Sequence, residues 1–367
     1  MRILFVTATY APSINGVAYQ VQILKRAIEK LGHPVMVLAP SFPGYLDAEK
    51  SVVRYPSFPN PFAKSHPIGI PLLNQKTVAK FSPQIVHTHH PLIVGKLATL
   101  LAAKYHAPLF FTAHTNYQQY LYHYFPYGLE YTSKILSTDI KTLVQKCHTI
   151  ICPSPETQKR FIKLGLQNTQ VIPNCIEDGI FTPVSQKKTS YPTLVFTGRI
   201  EKEKNPLMLI KISRHLKTLI HNFRLYIAGT GNMLQQVSSL INKYHLQENI
   251  LVLGDTPRLL LPRLYQDANL FITASTSEVM PLSVIEALSC GLPVVALKNA
   301  NLESLVTHDR NGLILPASPK IIATQIWNLL QNPQKLSTMS KNAAADSKRF
   351  VVTKVAAQLI SLYSSAI

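Results

Sequence analysis

Short apolar runs alternate with amphipathic stretches along the whole chain. In the first half the runs at 3–7, 35–39, 85–87, 109–112, 149–152 and 170–172 are rich in β-branched and apolar residues, the pattern of buried strands. Between them, 19–31, 94–105, 129–147 and 154–164 repeat their apolar positions with helical spacing. The second half repeats the alternation, with strands expected at 193–197, 224–228, 250–253, 269–273, 293–296 and 312–315. The stretch from about 335 to 367 reads as helical. Strands separated by helices imply parallel sheets covered on both faces. The pattern therefore predicts an α/β protein of two doubly wound, Rossmann-like domains facing a central cleft. The turn-prone Val171-Ile172-Pro173-Asn174 separates them, giving domains at 1–174 and 175–345, with a C-terminal helix at 346–367. A length of 367 residues suits two cores better than one.

Ligands of open α/β sheets bind at the carboxyl ends of the strands, and the chemistry-bearing residues gather there. After the strand ending at Thr197 comes Gly198-Arg199-Ile200-Glu201-Lys202-Glu203-Lys204-Asn205-Pro206. Arg199 offers a planar fork of donors and Lys204 a point charge, a pairing suited to a diphosphate. After the strand ending at Thr273 come Glu278 and, eight positions on, Glu286, separated by the helix entrance Met280-Pro281-Leu282. Along a helix axis, eight residues span roughly 12 Å. Two acids at that distance with cations between them suit a ligand with hydroxyls at both ends and a charged middle, such as a nucleotide sugar. Both acids also favour the positive end of a helix dipole without any ligand.

Three further segments stand at strand ends. Pro12-Ser13-Ile14-Asn15-Gly16-Val17 precedes a helix whose N-terminus would present N–H groups to an anion, with Gly16 easing the approach. His87-Thr88-His89-His90-Pro91 and Thr112-Ala113-His114-Thr115 both follow apolar strands. His114 is expected to donate to a sugar hydroxyl, and His89 and His90 to line the acceptor cleft. No carboxylates are spaced to complete a metal site with them. Ala228-Gly229-Thr230-Gly231-Asn232 fits either a phosphate cradle or a tight strand-to-helix turn.

Charge and composition narrow the partners. The net charge is +19, which favours anionic lipid, nucleic acid or phosphates. The longest apolar stretch, 91–103, is too short to span a bilayer and carries Lys96. The opening Met1-Arg2-Ile3-Leu4-Phe5-Val6 reads as a buried first strand rather than a signal peptide. Four cysteines without a Cys-x-x-Cys pair argue against zinc and against a disulfide framework, and fit a reducing cytoplasm. No Asp-x-Asp occurs, so Arg199, Lys204 and a helix N-terminus are expected to replace a divalent cation, and no metal or other cofactor is called for.

Together these residues resemble glycosyltransferase family 4, the retaining transferases of GT-B fold. The acid pair Glu278 and Glu286, the Gly198-Arg199…Lys204-Asn205 segment, the 171–174 linker and Leu251-Val252-Leu253-Gly254 carry the resemblance. It implies that Glu278 holds sugar hydroxyls, Glu286 the ribose, and Arg199 and Lys204 the diphosphate. By the same resemblance Gly16 lets its loop approach the β-phosphate, His114 touches the hexose, and the acceptor sits in the first domain. Retention would proceed by attack on the leaving-group face. Val279-Met280 stand where glycine is common, and Cys175 likewise.

Ser13-Ile14-Asn15-Gly16-Val17-Ala18, Val86-His87-Thr88-His89 and the segment from His114 through Tyr117 to Tyr124 narrow the resemblance. They are similar to the branch of 1,2-diacylglycerol 3-glucosyltransferases and related glycolipid enzymes. The tyrosine-rich stretch 116–131 and the mixed apolar and basic stretch 58–80 suit a membrane interface, although tyrosines at 116–131 would also pack between helices.

The expected function is transfer of a hexose, glucose, from a UDP-linked donor to a membrane lipid such as diacylglycerol. The enzyme would be cytoplasmic, held at the inner face of the cell membrane. The alternatives are a GDP-mannose donor, a soluble or lipopolysaccharide acceptor, or a basic nucleic-acid-binding protein. The last explains the charge but not the acid pair, and no nucleic-acid-binding motif is present.

Overall fold

The computed structural model describes residues 1–58, 60, 67–70, 75–115, 129–184 and 191–367, with the side chains of 75 and 129–137 left aside. The chain forms two compact units, Met1–Cys175 with Val352–Ile367, and Ile176–Val351.

Unit 1 is a seven-stranded sheet ordered β3-β2-β1-β6-β7-β8-β9. Its strands are β1 (Ile3–Val6), β2 (Val35–Pro40), β3 (Val52–Tyr55), β6 (Ile85–Thr88), β7 (Leu109–Thr112), β8 (Thr149–Cys152) and β9 (Thr169–Val171), and every pairing is parallel. A small antiparallel pair, β4 (Ser57–Phe58) and β5 (Ile68–Gly69), stands apart. Helices α1 (Gly16–Lys30), α2 (Gln75–Phe81), α3 (Leu92–Tyr105), α4 (Leu129–Lys146) and α5 (Pro155–Lys163) connect the strands. The central strands are fully buried, because helices cover both sheet faces and leave no polar side to alternate with. β3 falls outside the strands expected from the sequence: it is an edge strand, three of its four residues are half-buried, and its apolar run is broken by Arg54.

Unit 2 is a six-stranded parallel sheet ordered β12-β11-β10-β13-β14-β15. Its strands are β10 (Thr193–Thr197), β11 (Arg224–Ala228), β12 (Ile250–Gly254), β13 (Leu270–Thr273), β14 (Val294–Leu297) and β15 (Gly312–Leu315). Its helices are α6 (Pro206–Leu219), α7 (Leu234–Lys243), α8 (Leu261–Asp267), α9 (Leu282–Ser289), α10 (Pro319–Leu330) and α11 (Pro333–Ser347). The closing helix α12 (Val352–Ser364) belongs to unit 1 and packs on α1 through Val355, Ala356, Leu359 and Tyr363.

Each sheet reverses its order once. Starting from β1 the chain first builds outward through β2 and β3, then crosses to β6 on the other side. Unit 2 does the same between β10 and β13. These two switch points are where such sheets leave a crevice outside the strand ends. Inside unit 1 the linker is anchored by buried Gln20 of α1, which donates to the Cys175 carbonyl at 2.5 Å and accepts the Cys175 N–H at 3.0 Å. All four cysteines are buried thiols.

Candidate functional site

In unit 2 the loops after β10 and β13 are tied to each other at the switch point. The Glu203 carbonyl accepts from the Thr276 N–H at 2.9 Å and its hydroxyl at 3.2 Å. The Lys204 ammonium then reaches the Glu278 carboxylate, Oε1 taking the hydrogen bond. Both side chains are mostly buried, 17% and 11% exposed, so the pair is worth more than a surface contact. Among the described residues nothing donates to the second oxygen, Oε2, of Glu278. Behind Glu278, Asn301 donates to its backbone carbonyl at 2.6 Å, which fixes the loop ahead of α9.

Arg199 does not join Lys204. It pairs with Glu203 at 2.6 Å and is 57% exposed. The two cations expected to share one anion therefore have separate partners. The glycines around them are needed for close backbone approach. A Cβ on Gly229 would lie 2.0 Å from the Gly198 carbonyl, and one on Gly231 would lie 2.4 Å from the Ile200 carbonyl. Ala228 to Asn232 is thus a tight turn laid against the Arg199 loop, with Ile200 N–H donating to Thr230 at 2.7 Å. Glu201 holds the turn by accepting from the Asn232 N–H at 3.0 Å.

Glu286 lies inside α9 and is 2% exposed. Its Oε1 takes the Arg258 guanidinium at 2.5 Å and its Oε2 the Tyr265 hydroxyl at 2.9 Å. Thr197, the last residue of β10, hydrogen-bonds to Tyr265 at 2.6 Å. Since Tyr265 donates to Glu286, Thr197 donates to Tyr265. Burial, and then the Glu286 charge, raise the Tyr265 phenol well above its ordinary range. Burial and the same charge push the Cys290 thiol up to about 12. Arg258 also covers the Phe181 ring at 5.3 Å. At 2% exposure with both oxygens engaged, Glu286 meets a ligand hydroxyl only if one of these partners gives way.

Arg258 and Tyr265 were not legible as site residues. Arg258 stands four residues after Gly254, a cation at the carboxyl end of a strand, and that position was its one signal. Met280 and Pro281 are buried, and the Met280 side chain packs into the core of unit 2. Leu282, the first residue of α9, is half-buried.

In unit 1 Gly16 is the first residue of α1 and adopts ordinary helical backbone, so no left-handed conformation explains it. The adjacent Asn15 caps the helix, accepting the Ala18 N–H at 2.9 Å. Arg54 fixes the preceding loop by donating to the Ala11 carbonyl at 2.5 Å and to both oxygens of Asp47 at 2.7 Å.

The histidines differ most from expectation. His87 and His89 share one face of β6 and its extension, since strand side chains repeat with period two. Both are 0% exposed and both pack edge-on to Phe5. His89 is therefore a core residue rather than a cleft-lining one. His87 bonds to Tyr363 of α12 at 2.6 Å and to Thr112 at 2.7 Å. His89 Nδ1 lies 3.0 Å from His114 Nε2, and the two rings stack at 5.3 Å. His89 Nε2 is buried with no hydrogen-bond partner among the described residues. Burial lowers all three imidazoles: His87 to about 3, His89 well below its ordinary range, and His114 to about 4. For His114 a hydrogen bond with Asn174 opposes the lowering. The His114 ring is thus engaged by His89 and Asn174, and a hexose contact requires it to release one of them. His90 is half-buried, and its Nδ1 accepts the Ala8 N–H at 3.1 Å. Tyr117 and the stretch 116–128 lie outside the described residues, as does much of 58–80.

Among the described residues no cluster of His, Cys, Asp or Glu is arranged to hold a metal ion, and no helix is long and apolar enough to cross a membrane.

Comparison with known proteins places this geometry. The model of Glycosyltransferase Family 4 matches residues 14–179, and that of Glycosyl transferases group 1 matches 180–346. The alpha-monoglucosyldiacylglycerol synthase of Acholeplasma laidlawii is 27% identical over 393 residues, covering 99% of this chain and 96% of the relative. Among solved structures, the sucrose-phosphate synthase of Thermosynechococcus elongatus superposes with a TM-score of 0.80 at 18% identity, over 100% of this chain and 99% of that one. Anabaena HepE in complex with UDP-glucose gives 0.74 at 19% identity over 100% of both chains. The fold is the GT-B fold of these enzymes.

Proposed function

Because this chain belongs to the glycosyltransferases, its first half to Glycosyltransferase Family 4 and its second to Glycosyl transferases group 1, we propose that it transfers glucose from a UDP-linked donor to a membrane lipid such as diacylglycerol, with retention and without a metal ion. The observation that carries the donor half is the Lys204–Glu278 pair across the unit 2 switch point, with one carboxylate oxygen left unbonded among the described residues. Lys204 holds one carboxylate oxygen of Glu278 in place, and Glu278 accepts from hexose hydroxyls. As the glycosidic bond breaks, charge builds on the leaving diphosphate. Lys204 and Arg199, fixed before the reaction begins, lower the barrier by meeting that charge. Glu286, held by Arg258 and Tyr265, accepts from the ribose hydroxyls. The backbone N–H groups at the start of α9 add a further site for negative charge.

The acceptor half rests on the likeness to a glucosyldiacylglycerol synthase over nearly the full chain and on the net charge of +19, which suits an anionic leaflet. On this reading the enzyme is cytoplasmic and binds the membrane peripherally.

The test uses purified protein, vesicles of diacylglycerol with anionic phospholipid, and labelled UDP-glucose or GDP-mannose, with and without EDTA. An EDTA-resistant glucolipid with an α anomeric proton is expected. Product from GDP-mannose alone changes the donor. Product only on soluble sugars removes the lipid acceptor. Complete loss in EDTA removes the metal-free scheme.

A further inference from the structure

Unit 1 contains a cavity of about 200 Å³ that none of the donor chemistry uses. It lies at the carboxyl ends of β1 and β6, where the sheet order reverses, since Ala8 follows β1 and His90 and Leu92 follow β6. Its walls are apolar. Tyr55 presents its ring, because its hydroxyl is already donated to the Thr7 carbonyl at 2.8 Å. Ile68, Leu92 and Ile93 supply aliphatic surface. His90 is the polar exception. Its Nδ1 accepts the Ala8 N–H at 3.1 Å. Leu92 has φ 61, a left-handed backbone that a bulky side chain adopts at a cost, and such strain concentrates at ligand sites.

The cavity continues into an exposed apolar patch. Ile68 and Ile93 line it and are also 37% and 53% exposed. Phe58, the register partner of Ile68, is 45% exposed, and Leu100, two turns beyond Ile93 on α3, is 69% exposed. Lys96, which pairs with Asp139 at 2.9 Å, and Lys104 are exposed on the same helix. Apolar side chains interspersed with lysines match the surface of an anionic bilayer.

We propose that this cavity takes an acyl-chain segment of the lipid acceptor, entering past Ile68 and Ile93, with the glycerol end toward His90. The proposal rests on the lipid-acceptor reading and adds the place and size of the chain's site. A 150 Å³ apolar cavity holds benzene, so this one holds a segment of roughly eight carbons.

The experiment measures transfer to diacylglycerols and alkylglycerols of two to ten carbons, each kept monomeric, by the wild-type chain, Ile93→Trp and Ile93→Asp. Ile93 is half-exposed, so these changes spare the core. In parallel, a photoreactive decanoylglycerol is crosslinked without donor and the labelled peptides are identified by mass spectrometry. Each methylene buried strengthens binding about fourfold, so KM should fall with chain length and level near eight carbons. Both variants should flatten that series while kcat holds, and label should fall on 67–70 and 91–94. Lipid transfer with a KM indifferent to chain length, or label elsewhere, overturns the cavity and leaves the lipid reading intact. Label at these peptides without lipid transfer supports the cavity as an acyl site and removes the functional reading. Neither label nor transfer removes both.

Discussion

Both units carry a cluster of buried ionisable groups near the carboxyl end of a parallel sheet, beside the point where strand order reverses, yet the two clusters treat charge in opposite ways. Unit 1 stacks His87, His89 and His114 and strips them of charge: burial holds each below its ordinary range. Unit 2 pairs each of its acids with a cation, Lys204 for Glu278 and Arg258 for Glu286. On the proposed function, the contrast separates two tasks. A neutral, apolar end suits an acceptor with a hydrocarbon chain. A set of balanced charges suits a ligand that brings hydroxyls and a diphosphate.

The largest expected break comes from leaving one charge unanswered. Arg258→Leu strands Glu286, whose side chain is 3% exposed, and should cost about 3–5 kcal/mol of stability. Replacing both partners, as in Arg258→Leu with Glu286→Leu, should restore much of it, read from urea midpoints at pH 7. If the single change is harmless, Glu286 is not held as an ion.

Acid should act on the other unit. His87 and His89 have folded-state pKa values below the unfolded 6.5. The unfolded chain therefore binds more protons as pH falls. Their stability is fully present above about pH 6.5 and is lost below it, down to the folded value of about 3 for His87. At pH 5 the His87 ring should cost about 2 kcal/mol, from 1.36 kcal/mol per pH unit below 6.5, and His89 should act in the same direction. The urea midpoint should fall accordingly between pH 7 and 5, and His87→Gln with His89→Gln should flatten that slope. An unchanged slope in the double variant would assign the acid sensitivity elsewhere.

The two treatments of charge were unequally legible in the sequence. Buried parallel strands announce themselves by continuous apolar runs, so β7, β8, β10, β11 and β15 lie where the pattern puts them. β3 and the two-residue strands β4 and β5 escape because edge and hairpin positions need no such run. The apolar period of α1 begins at Tyr19, yet the helix begins at Gly16, where Asn15 caps it. At the site, Arg199 and Lys204 look like one unit because they share a loop. Their partners are set by folding: Glu203 lies one turn away, Glu278 lies 74 positions on. No local spacing encodes the second pairing. The histidines mislead for a related reason. A polar residue after a strand reads as a ligand contact, and only burial reveals a core imidazole.

Lys204→Ala tests what the balanced charge is for. Removing one preorganised cation at developing charge should lower kcat by about 10²–10³. Melting should fall less than in Arg258→Leu, because the Glu278 side chain is 11% exposed where that of Glu286 is 3% exposed. Equal loss of kcat and of stability would make Lys204 a structural residue. Glu278→Gln should follow the same pattern in kcat, with the fold intact by circular dichroism.

The smallest effect probes the hydrogen-bonded chain from Thr197 through Tyr265 to Glu286. Thr197→Val keeps the shape and removes one donor to the Tyr265 oxygen, at a cost of about 1 kcal/mol. In unit 1, Thr112→Val removes the partner of a ring nitrogen on fully buried His87. The two changes are alike in side chain and differ in what they leave behind. The Tyr265 phenol, raised well above its ordinary range, keeps its proton at both pH 5 and pH 8, so the loss should be the same at each. His87 is left with an unanswered polar atom in a core that already resists protonation, which should cost more, about 1–3 kcal/mol. Urea titrations of both variants at the two pH values decide it. A Thr197→Val loss that changes between the two pH values would make the chain from Thr197 to Glu286 part of the acid response, and the contrast between the histidine cluster and the paired acids would fail there.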